Sequence, residues 1–192
     1  MRNQKSKNQL YEFVLTAILA ALICIMTVVP YLGYISYGGV IEITTLHIVV
    51  IVGSVFLGWR YGAILGGVWG LTCIFRAMTN PLWAAFLNPM VSLVPRILVG
   101  IVAALVFKGL VKLKCPKIPA AGIAAAAATL TNTVLVLSAL AIFGDSTGMT
   151  TFFDVLKTVY LTVIGVNGLI ELGAAVVLVP VICLALWKRK HN

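Results

Sequence analysis

Long apolar stretches alternate along this chain with short connections that hold nearly all of its charge. The first stretch runs from Leu10 to Val29 and stops at Pro30. Its length fits one crossing of a hydrocarbon core, and proline ends the helical run. Further runs cover Thr44–Leu57, Tyr61–Phe75, Pro89–Phe107 and Ala120–Phe143, and a sixth begins near Phe153 and ends at WKRKHN. The second and third are short for a full crossing and predict little tilt or a locally thinned or packed setting. GWRYG between them reads as a tight turn. In RAMTNPLWAAFLNP, two Asn-Pro pairs bracket a short apolar piece around Trp83, the pattern of a small re-entrant or interfacial element. The pattern predicts an all-α integral membrane protein, a compact six-helix bundle formed by residues 1–192 as a single substrate-binding domain.

Composition agrees. Of 192 residues, 61% are hydrophobic and 10% charged, with a mean hydropathy of +1.10; a water-soluble domain of this size needs more charge to cover its surface. The basic start MRNQKSKNQLYEF resembles a signal-peptide region. The long apolar run behind it, and the absence of a small-x-small site near Pro30, favour a retained first span. Net charge is +9, and its placement assigns it to topology and anionic headgroups, with no nucleic-acid partner. Arg2, Lys5, Lys7, Arg60, Lys108, Lys112, Lys114, Lys117, Lys188, Arg189 and Lys190 all fall on one side of a six-span chain. The positive-inside rule makes that side, and both termini, cytoplasmic. Arg76 lies on the other side, with Glu42, Asp145 and Asp154 nearby, and Lys157 is a mild exception. The loops 31–43 and 144–152 are then external.

Four cysteines (Cys24, Cys73, Cys115 and Cys183) form neither a CxxC pair nor a Cys/His cluster, so no metal site or disulfide is implied. No GxxxxGK[ST], HExxH or GxSxG motif occurs, which argues against an ATP motor in this chain and against a catalytic role.

Polar residues inside the spans narrow the function. Arg96 lies seven residues after Pro89, about 10 Å into the fourth span. A guanidinium at that depth costs several kcal/mol unless it is paired or hydrated. It either pairs with Glu42, Glu171 or a backbone carbonyl, or it serves as counter-charge to an anionic ligand, for which its planar fork suits a carboxylate. Asn132, about 16 Å down the fifth span, is a helix–helix clamp or a wall of the same pocket. Asn167 and Glu171 share one face of the sixth span and read as lying deeper, toward the cytoplasmic half. Glu171 is there a partner for a cation, or a neutral acid, and in a proton-driven carrier the first suspect. His47 is a pocket residue, a metal ligand or a structural group; with His191 the sole other histidine, a metal is poorly supported. Glu42, Tyr31, Tyr34 and Tyr37 in the first outer loop, with Trp83 in the second, form an interfacial belt or the cover of a ligand pocket. Small residues repeat at a spacing of four at Ala17 and Ala21, at Gly62, Gly66 and Gly70, and in AAGIAAAAA. That spacing serves packing within the bundle or docking onto another membrane protein.

The length, the six spans and the Ala17-x-x-x-Ala21 pair resemble the substrate-binding S components of energy-coupling factor (ECF) vitamin transporters. LHIVVIVGSVFLGWRYGAILGGVWG and NPMVSLVPRILVG are similar to the branch that handles pantothenate. The resemblance covers essentially the whole chain. It implies a non-catalytic, multi-pass subunit of the bacterial plasma membrane that needs no cofactor. It implies a vitamin pocket covered by the first outer loop, and a partnership with a transmembrane coupling protein and two cytoplasmic ATPases. The surface around Ala17 and Ala21 is similar to the one that meets the coupling protein. Pantothenate, a monoanion with an amide and two hydroxyls, matches Arg96 for its carboxylate and Asn132 for its amide or hydroxyls. Hydroxymethylpyrimidine or another B vitamin, and an independent proton-coupled carrier, are the alternatives.

Overall fold

The computed structural model describes residues 2–37, 41–79, 81–143 and 150–191. Helix α1 (Arg2–Val28) leads into a hairpin of β1 (Tyr34–Tyr37) and β2 (Ile41–Thr44). Then come α2 (Leu46–Leu57), α3 (Trp59–Thr79), a 3-10 segment (Pro81–Leu87), α4 (Pro89–Lys112), α5 (Lys117–Phe143) and α6 (Thr150–His191). Among the described residues, five helices contain segments long and apolar enough to cross a membrane: Gln9–Val28, Trp59–Thr79, Pro89–Lys112, Lys117–Leu140 and Asn167–Lys188. The chain is a multi-pass helical membrane protein. Helix α2 is the exception. Its 12 residues extend about 18 Å, short of a hydrocarbon core of about 30 Å. Nine of those residues are buried, so α2 takes its apolar surroundings from the neighbouring helices.

The core runs along α2 and the faces turned toward it. Leu46, Val50 and Ile51 of α2 meet Leu65 and Trp69 of α3, Val99 and Ala103 of α4, Ala121, Ala125 and Ala128 of α5, and Ala175 and Val179 of α6. Away from the hairpin, Trp187 closes the bundle. Its ring stacks on Phe107 at 6.0 Å and lies 5.5 Å from Phe56, with the Lys117 ammonium 5.8 Å from its centroid. Cys73 and Cys183 are buried and all four cysteines are free thiols.

The small-residue repeats divide by role. Helices α3 and α4 touch backbone to backbone. A Cβ on Gly66 would collide with the carbonyl oxygen of Arg96, and Cβ atoms on Gly62 and Gly100 would each strike the other residue's carbonyl oxygen. The alanine run of α5 is likewise internal, with Ala120, Ala121, Ala124, Ala125 and Ala128 fully buried. Both repeats are used in packing the bundle. Ala17 and Ala21, by contrast, lie on the exposed face of α1 among Phe13, Val14, Ile18 and Ile25.

Two local expectations are corrected. The turn expected over GWRYG shrinks to Gly58, whose φ of 89° lies in the left-handed region, and α3 already begins at Trp59. The first connection is more than a loop. YISY and IEIT pair antiparallel, with Tyr34 opposite Thr44 and Ser36 opposite Glu42. The hairpin is tied to the bundle at its base, where the Thr45 N–H donates to the Gly33 carbonyl at 2.9 Å and its hydroxyl to the Leu32 carbonyl at 2.7 Å.

Candidate functional site

A cavity of about 130 Å³ lies beneath the hairpin, among α3, α4, α5, α6 and the 3-10 segment. The sequence accounts for its most unusual side chain. Pro95 has no N–H, so the helix carbonyl four residues back, at Val91, loses its usual partner. Arg96 supplies a substitute: its Nη1 donates to the Val91 oxygen at 2.7 Å. The guanidinium also lies 5.3 Å from the Trp69 ring centroid and 5.6 Å from that of Phe86, within range for cation–π attraction to both rings. These contacts fix the group without neutralising it. Arg96 is 7% exposed, its Nε has no partner, and no carboxylate lies within salt-bridge distance among the described residues.

The two acids offered as its partners are engaged with the hairpin. Glu42 of β2 binds Arg76 of α3 through two parallel hydrogen bonds, Nη1 to Oε2 at 2.6 Å and Nη2 to Oε1 at 2.5 Å. The Arg76 guanidinium also covers the Tyr34 ring at 4.0 Å. Glu171 accepts the Thr44 N–H at 2.7 Å, and Asn167 Nδ2 donates to the Glu42 carbonyl at 3.3 Å. The expected depth of these two residues is thereby corrected: Asn167 and Glu171 meet β2 and line the same cavity as Arg96 and Asn132. The Tyr34 hydroxyl lies 3.3 Å from the Cys73 thiol. Burial against α3 holds its pKa well above the usual tyrosine range, so the phenol is neutral.

Of the residues singled out from sequence, Arg96, Asn132, Trp83, Asn167 and Glu42 all line this cavity. Asn132 is buried and its Oδ1 has no partner. Trp83 marks a kink in the 3-10 segment and meets Phe86 edge-on at 5.6 Å. His47 is not among the lining residues. It is buried in α2 with both ring nitrogens unpartnered, 6.5 Å from the Trp69 ring that also carries Arg96. Tyr37 ends β1, and its side chain lies outside the described residues, as does most of the 144–152 loop. Sequence reasoning passed over Cys73, Arg76 and Ala77 as wall residues, although their spacing puts them on one face of α3. Nor did it single out Trp69, a fully buried core residue whose ring faces the Arg96 guanidinium behind the cavity wall.

In chemical terms the cavity presents a fixed cation with unused donors at one place, amide groups at Asn132 and Asn167 at others, and aromatic walls. That arrangement can hold a small polar anion. It offers no nucleophile–base pair, and among the described residues no cluster of His, Cys, Asp and Glu is placed to hold a metal ion.

Comparison with known proteins points the same way. The family described as "ECF transporter, substrate-specific component" matches residues 12–183, from α1 to α6. The pantothenic acid transporter PanT of Lactococcus lactis subsp. cremoris (strain MG1363) is 37% identical over 196 residues, covering 92% of this chain and 95% of that protein. The pantothenate transporter PanT of Leuconostoc mesenteroides subsp. mesenteroides (strain ATCC 8293) is 35% identical over 108 residues, 53% of each chain. A helical membrane bundle with a polar cavity under its first connection, matched by one family over nearly its full length, belongs to the substrate-specific components of ECF transporters.

Proposed function

We propose that this chain is the membrane-embedded capture subunit of an ATP-driven bacterial importer and that its vitamin is pantothenate. The observation that carries the reading is Arg96: a buried guanidinium in the cavity wall, held by Val91 and two aromatic rings, with an unused Nε and, among the described residues, no carboxylate within salt-bridge distance. A monoanion supplies the missing charge. The similarity to two pantothenate transporters supports the choice of anion. In this reading the carboxylate docks on Arg96. Asn132, with its free Oδ1, takes the amide or a hydroxyl. Trp83 and Phe86 cover the apolar middle, and the hairpin closes the mouth.

The chain itself carries out no hydrolysis. Energy comes from two cytoplasmic ATPases through a transmembrane coupling protein. The exposed Ala17/Ala21 face of α1 supports that coupling contact, since small side chains allow close helix approach. Residues 1–192 act as one domain, crossing the plasma membrane six times with both ends in the cytoplasm. The basic residues of the α2–α3 and α4–α5 connections and of the two termini support that orientation.

Calorimetry of the purified chain against a vitamin panel tests the proposal. Pantothenate is the expected ligand, and Arg96→Ala is expected to cost about 2–5 kcal/mol of its binding. Arg96→Lys recovers part of that loss, keeping the charge and losing the fork. Pantothenol, with an alcohol in place of the carboxylate, binds weakly and is nearly indifferent to Arg96→Ala. Equal affinity for pantothenate and pantothenol would overturn the assignment of Arg96 to the carboxylate.

A further inference from the structure

The free edge of the hairpin is held in an unusual way. In an antiparallel pair, alternate residues turn their backbone groups toward the partner strand and away from it. Glu42 and Thr44 are two apart on β2, and both present backbone groups away from β1: the Glu42 carbonyl accepts from Asn167, and the Thr44 N–H donates to Glu171. Between the Glu42 carbonyl and the Thr44 N–H, which flank residue 43, the strand advances about 5 Å. Asn167 and Glu171, four apart on a helix, are separated along its axis by about 6 Å. The match lets one helix face address successive groups of a strand edge, with an amide donor for the carbonyl and a carboxyl acceptor for the N–H. Helix α6 stands in for a third strand.

We infer that Asn167 and Glu171 form a latch that holds the hairpin shut over the cavity, and that they are positioning residues for ligand retention. Exposed strand edges are open to water and to other partners; this one is occupied by side chains that also line the cavity. Glu42 takes part in both ties: its carbonyl meets Asn167 of α6, and its carboxylate binds Arg76, which ties the hairpin to α3. Release of the edge from α6 leaves the hairpin hinged on α3 and opens the cavity on the α6 side. The retention role rests on the ligand-capture reading above; the latch does not.

Two substitutions separate reach from the carboxyl group itself. Glu171→Gln keeps an acceptor oxygen at the same length without the ionisable group. Glu171→Asp keeps the carboxyl group and is one methylene too short for the 2.7 Å bond. Backbone hydrogen exchange in the ligand-free, full-length chain in nanodiscs reads the latch directly. Thr44 is expected to exchange at the wild-type rate in Glu171→Gln and about ten-fold faster in Glu171→Asp, the size of one lost hydrogen bond. Dissociation of radiolabelled pantothenate is expected to be about ten-fold faster from Glu171→Asp than from Glu171→Gln. Asn167→Ala removes only the longer 3.3 Å contact and gives a smaller change in the same direction. An Asp variant as protected as wild type, or a Gln variant as exposed as Asp, overturns the latch. If exchange follows the prediction but no pantothenate binds to the wild type, the latch stands and the ligand assignment falls.

Discussion

Replacing Gly66 with alanine adds one methyl group where α3 and α4 are in backbone contact. That Cβ would lie 2.7 Å from the Arg96 carbonyl carbon and 3.0 Å from the Ile97 Cα, with the Arg96 oxygen nearer still. All three are backbone atoms, so no rotamer change relieves the overlap, and α4 must move off α3 by about 1 Å. Gly67, one residue on, is a built-in control: its Cβ would meet only Ile97 Cγ1, at 3.9 Å, an ordinary contact. Both changes gain the same helix propensity, about 0.8–1 kcal/mol, and it cancels when the variants are compared. What remains is overpacking at residue 66, about 1–3 kcal/mol. Unfolding of the purified variants in one detergent is therefore expected to rank Gly67→Ala above Gly66→Ala by that amount, with Gly67→Ala at least as stable as wild type. Ligand affinity is expected to follow, because the displaced carbonyl is that of Arg96 itself. Gly66→Ala is expected to bind pantothenate about ten-fold more weakly and Gly67→Ala within about two-fold of wild type. Equal stabilities would refute the reasoning that α3 and α4 are in backbone contact at this point. A stability loss without an affinity loss would show that this contact does not place Arg96.

The Arg76–Glu42 ion pair gives a second test. Arg76→Ala and Glu42→Gln are each expected to destabilise the closed hairpin by about 1–3 kcal/mol, and the double variant by little more than either alone, read as ligand off-rates in a double-mutant cycle; additive effects would show that the two residues act separately. Replacing Ala17 or Ala21 with tryptophan is expected to leave pantothenate binding within about two-fold and to abolish co-purification with the coupling protein; lost binding with retained assembly would place that face inside the bundle. A cysteine introduced at Lys112 or Lys114 is expected to resist membrane-impermeant reagents added to intact cells and to react after permeabilisation, and labelling from outside would reverse the orientation.

The spans were legible because lipid imposes a long apolar run wherever a helix faces it, and α1, α4 and α5 obey that demand. Helix α2 obeys another solvent, the protein interior, and its short apolar run pointed to a thinned or packed setting without deciding between them. Arg96 was legible as an anomaly, and Pro95 marks in the sequence which carbonyl would be free for it. The hairpin was not legible. Two four-residue strands have no independent stability, and the groups that hold them, Arg76, Asn167 and Glu171, lie 34, 125 and 127 residues from their partners. The depth of Glu171 was misjudged for the same reason. Counting along a helix places a residue on that helix, while the strand it meets depends on a distant segment. The small-residue repeats look alike in sequence, and only exposure separates Ala17 and Ala21 from the alanines of α5.

The order in which the ribosome delivers these pieces gives α6 a role in biogenesis. The hairpin and α2 emerge early, yet α3, α4, α5 and α6, which wall in α2, are all made after it. The nascent chain can hold itself in the membrane through α1 long before it can hold a ligand. Arg76 arrives with α3 and Arg96 with α4, but Asn167 and Glu171 come with the last helix. A truncated product lacking α6 would display the guanidinium in a cavity with one wall missing and a hairpin edge open to any passing strand. Substrate capture thus waits on α6: the cavity gains its remaining wall and the hairpin its latch only after that helix has been made.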